Sequence, residues 1–69
     1  MTDLAIAALD RLIRKAGAER VSEDAAEELG RILEEVAQDI SKQAIELARH
    51  AKRKTVTGED IKLATKTMQ

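Results

Sequence analysis

The stretch SEDAAEELGRILEEVAQDISKQAIELARHA, residues 22–51, decides the fold. Ser22 is a good helix cap, and Glu23 and Asp24 follow in the first turn, where acids meet the positive end of the helix dipole. Ala25, Leu29, Ile32, Leu33, Val36, Ile40, Ala44, Leu47, Ala48 and Ala51 then keep one apolar face for about seven turns. Arg49, Lys52, Arg53 and Lys54 close the other end with the sign that suits a helix C-terminus. At about 1.5 Å per residue this helix would be roughly 43–45 Å long. A compact domain of the same chain length has a diameter of only roughly 28 Å. The helix must overrun its own globule, and its apolar face must still be covered. A second copy crossing it near Val36 meets both demands.

Outward from the long helix, two short ones are expected. Thr2-Asp3 can cap the first, with Leu4, Ala5, Ala8, Leu9, Leu12 and Ile13 at helical spacing, and Gly17 ends it. Thr55-Val56 reads as extended. Thr57 and Asp60 then match a capping box that opens a third helix through Ile61, Ala64 and Met68. The predicted order is a single domain over 1–69: helix 3–15, loop 16–21, long helix 22–51, loop 52–56, helix 57–67. The fold class is all-α, short–long–short.

Composition agrees with a partnered helical chain. Sixty-nine residues are one domain at most, and chains of this size bury only about 60% of the surface their unfolded form exposes. Such domains lean on disulfides, a metal or a partner, and with no cysteine and one histidine a partner is left. No metal site and no cofactor are expected. Aromatic residues are absent while 43% of the chain is hydrophobic and 36% charged, an alphabet for helices packed through Ala, Leu, Ile and Val. No apolar run approaches the ~20 residues of a membrane span, and the first ten residues do not resemble a signal peptide. The expectation is a cytoplasmic protein without membrane contact.

A net charge of −1 argues against a nucleic-acid partner until charge is followed along the chain. Residues 1–20 set Arg11, Arg14, Lys15 and Arg20 against three acids; residues 21–40 set Arg31 against seven; residues 41–69 set seven basic groups against three. Both ends are basic around an acidic middle, and local potential steers ligands more than the total does.

Three runs carry a family resemblance: AGAERVS (16–22), LARHAKRKTV (47–56) and EDIKLA (59–64). At their correct intervals, and across nearly the whole chain from about Leu4 to Ala64, the sequence resembles the archaeal histones. The resemblance implies a histone fold whose two copies interlock head to tail as a handshake homodimer, or as a heterodimer with a paralogue. Double-stranded DNA would be bent and wrapped outside, with little sequence preference, to compact the chromosome. In that dimer the first loop of one copy lies beside the second loop of the other, with Arg20-Val21 and Thr55-Val56 paired.

Residue roles follow from the same resemblance. Arg20 would enter the DNA minor groove, as arginines do on the histone octamer. Lys54 and Thr55 would meet phosphates beside it, as would Arg11, Arg14 and, more weakly, Lys15. Arg53 and Asp60 would form a salt bridge bracing the second loop. Leu29, Ile32, Leu33, Val36 and Ile40 would fill the dimer core. Leu47 and His50, with Asp60 from the next dimer, would join dimers into tetramers or a superhelical polymer, and protonation of His50 would then tune assembly near neutral pH. In rod-forming relatives, charges placed like Glu35, Glu46, Arg49 and Lys62 bridge successive turns.

The departures are local. Ala5 and Ala8 stand where the family often has proline, Lys52 where it often has glycine, and Thr57 where it often has lysine. Gly30, inside the long helix, either admits the close approach of another chain or reflects drift, at a cost of about 1 kcal/mol. The rival expectation is a histone-fold module for protein–protein assembly with weak or lost DNA binding, favoured by the acidic stretch 23–39. No nucleophile–base pair or phosphate-binding glycine loop points to an enzyme.

Overall fold

A computed structural model describes the backbone of residues 3–68 and the side chains of residues 5–67. It contains three helices, α1 (Asp3–Lys15), α2 (Glu23–His50) and α3 (Gly58–Met68), and no strand among the described residues. The architecture is all-α, short–long–short. Thr2 and the side chains of Asp3, Leu4 and Met68 lie outside the described residues, and with them the expected first cap and two expected apolar positions. The chain divides into two compact units, Met1–Glu34 and Glu35–Gln69, with the division inside α2.

In the first unit, α1 stops where glycine permits it to. The Gly17 N–H donates to the Arg14 carbonyl at 3.0 Å and the Ala18 N–H to the Ile13 carbonyl at 3.4 Å. This pair of bonds needs a left-handed residue just past the helix, and Gly17 supplies it with φ +120°. Ser22 then caps α2, its Oγ accepting from the Ala25 N–H at 3.3 Å, so the helix proper begins at Glu23. Leu9, Ala26 and Gly30 are buried. Ala26 corrects the expected stripe, which used Ala25; Ala25 is exposed. The reason is steric: Ala26 and Gly30, four apart on one face, are small enough for another backbone to come close. Gly30, whose role the sequence left open, is covered by its own chain.

In the second unit, α2 ends on the same bond pattern. The Lys52 N–H donates to the Arg49 carbonyl at 2.8 Å and the Arg53 N–H to the Ala48 carbonyl at 2.9 Å. Here the left-handed residue is Lys52, with φ 59°. A side chain in that region costs about 1–2 kcal/mol. Ala44, Ala48 and Ala64 are almost inaccessible, and Asp60 is buried beside the start of α3.

Both interiors are therefore built from small residues. Among the described residues no large side chain is fully buried, while Leu12 (54% exposed), Ile32 (44%), Leu33 (43%) and Val36 (44%) stand open. Ile45, Val56, Ile61 and Leu63 are likewise exposed. Hydrophobic stabilisation scales with apolar area removed from water, at about 25 cal/mol per Å². These side chains forgo most of it in a single chain.

Candidate nucleic-acid interface

The first unit carries Arg11 and Lys15 on α1 and Arg20 in the loop after it, all exposed. None of the three has an ion pair with the described residues. Arg14 differs. Its Nε donates to Asp10 Oδ1 at 2.9 Å, one turn back, and its Nη1 donates to the Glu19 carbonyl at 3.2 Å. The side chain ties the end of α1 to the loop that holds Arg20. Two of its five N–H donors are used, which leaves others for a phosphate. The sequence reading missed this brace, although the four-residue spacing of Asp10 and Arg14 was the signal for its first half.

The second unit carries Lys54 and Thr55, exposed in the loop between α2 and α3. Under them lies a network centred on Asp60. Arg53 donates through Nη1 to Oδ2 at 2.9 Å and through Nη2 to Oδ1 at 2.8 Å, a two-pronged pairing that fixes both planes. The same Nη1 donates to the Thr55 carbonyl at 2.9 Å, so the loop backbone is gripped as well. Asp60 Oδ2 also accepts from the Thr57 N–H at 2.9 Å and the Thr57 hydroxyl at 3.1 Å, while the Asp60 N–H donates to Thr57 Oγ1 at 3.4 Å. That reciprocal exchange is a capping box, with aspartate in the place of the usual glutamate. The Arg53 hydrogen bonds, then the Thr57 N–H, hold the Asp60 carboxyl far below the usual carboxylate range, and Arg53 is raised in turn, chiefly by its bond to Asp60.

Leu47 is half-buried and His50, the last residue of α2, is exposed. Asp60 Oδ2 already accepts three donors, so further contacts to this carboxylate fall to Oδ1. Several other charges are spent on neighbours within a turn: Arg49 on Glu46 at 3.0 Å, Lys62 on Glu59 at 3.9 Å, and Arg31 on Glu28. Of the expected dimer-core residues, Ile32, Leu33 and Val36 are exposed, and Leu29 and Ile40 are intermediate. No helix is long and apolar enough to cross a membrane.

Comparison with known proteins agrees over nearly the whole length. Residues 2–65 match the family described as histone-like transcription factor (CBF/NF-Y) and archaeal histone. The chain is 64% identical over 66 residues to archaeal histone HAN1 of Thermococcus zilligii, covering 96% of this chain and 98% of that one. It is 48% identical over 64 residues to probable archaeal histone 3 of Methanocaldococcus jannaschii, covering 93% and 96%.

Proposed function

This chain belongs to the family of archaeal histones and histone-like transcription factors, and from that premise we propose that it binds double-stranded DNA as a handshake homodimer. It bends the duplex around dimers or larger assemblies and compacts the chromosome in the cytoplasm. Residues 1–69 act as one histone-fold domain, in a structural role rather than a catalytic one.

One observation carries the reading. Arg11, Lys15, Arg20 and Lys54 are exposed and carry no ion pair among the described residues, in a chain where Arg31, Arg49, Arg53 and Lys62 are all neutralised by near neighbours. The unspent cations sit at the positions the family resemblance assigns to phosphate and minor-groove contact. Exposed Leu12, Ile32, Leu33 and Val36 support the dimer, since a second copy would cover them. In that dimer Arg20 of one copy stands beside Lys54 and Thr55 of the other. Any sequence preference comes from how easily the DNA bends, because nothing presents a row of amides and guanidinia to base edges.

The test is duplex binding measured across salt, with sedimentation of the free protein. Phosphate-dominated binding weakens steeply as salt rises. Replacing Arg20 and Lys54 by alanine together should lower affinity and flatten that dependence. A folded monomer in sedimentation, or wild-type binding indifferent to salt, overturns the proposal. Stable dimers that ignore DNA would instead favour a protein–protein assembly module, the reading suggested by the acidic stretch 23–39.

A further inference from the structure

We propose that Lys52 is an additional phosphate-contacting residue, a cation for which the loop after α2 accepts a strained backbone; this rests on the DNA-binding reading above. Lys52 is the one non-glycine residue with positive φ among those described. The end of α1 makes the same two hydrogen bonds around Gly17, so the turn itself asks for no side chain there. A strained residue that geometry does not require points to a use for the side chain.

Its surroundings say what that use is. Lys52 is exposed and makes no ion pair with the described residues. Arg49 on one side is neutralised by Glu46, and Arg53 on the other by Asp60. The positive charge left unspent in this loop is that of Lys52 and Lys54, two residues apart. The Arg53 bonds to the Thr55 carbonyl and to Asp60 hold the backbone between and beyond them. A lysine is a point charge on a long stem, able to reach a phosphate without demanding one fixed geometry. Lys52 thus extends the track of Lys54 and Thr55 by one contact in each copy.

Two variants of the full chain separate charge from strain. Lys52→Gly removes both, and Lys52→Gln removes the charge but keeps a side chain in the left-handed region. Each phosphate contact contributes about 0.9 to the slope of log affinity against log salt, so a dimer losing two should have a slope shallower by about 1.8. Across a fourfold rise in salt, wild type should then lose roughly tenfold more affinity than either variant. Only Lys52→Gly should also raise the melting temperature. Wild-type slopes in both variants would overturn the proposal, and so would a fall in melting temperature for Lys52→Gly, since the charge would then be serving the helix end. Wild-type protein is titrated first; if it shows no salt-dependent binding, the DNA reading itself fails and this assignment goes with it.

Discussion

The two loops start from the same backbone turn and are secured in opposite ways. After α1 the left-handed position is glycine, which adopts it cheaply, and the rest of that loop is held by the Arg14 bond to the Glu19 carbonyl and the Ser22 cap. After α2 the position is lysine, which does not, and the residues leading into α3 are clamped by a buried carboxylate that accepts from Arg53 and Thr57. A helix end can therefore tolerate an unfavourable residue when the next turn is over-determined by charge-assisted hydrogen bonds. The second loop is the stiffer of the two in hydrogen-bonding terms, and it carries the added positive charge.

Removing the clamp should have the largest effect. Asp60→Ala leaves Arg53 without its partner, opens the capping box and releases the Thr55 carbonyl, and it should lower the melting temperature more than any substitution in the first loop. The acid dependence sharpens the point. Because the folded Asp60 carboxyl is held below its unfolded value, its contribution is fully present above about pH 4 and is lost as pH falls through the depressed folded value. Melting curves from pH 5 to pH 2 should show that decline in wild type and a shallower one in Asp60→Asn. Equal slopes would mean the pair does not stabilise the fold.

The glycine and lysine positions give smaller effects of opposite sign. Gly17→Ala puts a side chain where φ is +120° with no atom within 4 Å of the new Cβ, so the cost is purely conformational, about 1–2 kcal/mol of stability. Lys52→Gly relieves the strain at φ 59° but loosens the unfolded chain, for a net gain of about 0.5–1 kcal/mol, or a rise of about 4 °C in melting temperature. Chemical denaturation of both variants at fixed protein concentration decides it. If both lost stability equally, the two turns would not be the equivalents their hydrogen bonds suggest.

Much of the chemistry was legible in one dimension because it is local. The Ser22 cap, the Gly17 stop and the Thr57–Asp60 box depend on spacings of a few residues, and the structure contains their hydrogen bonds. Other features were not legible for equally physical reasons. The reach of Arg14 to the Glu19 carbonyl depends on where a loop backbone turns, which no side-chain pattern encodes. Ala26 rather than Ala25 is buried because contact between helices is set by the rotation of one about its axis, a quantity a stripe ten residues long leaves uncertain by a neighbour.

Sequence alone determined three helices in the order short, long, short, their family, and a segregation of charge that sets basic ends around an acidic middle. Those follow from periodicity, capping chemistry and counting, none of which needs a third dimension. Only the tertiary structure decided which cations are spent and which are available, and that the residue in the strained turn is a lysine rather than one at ease there. Ion pairs and backbone dihedrals depend on where atoms lie in space, and a string of residue types constrains those positions without fixing them.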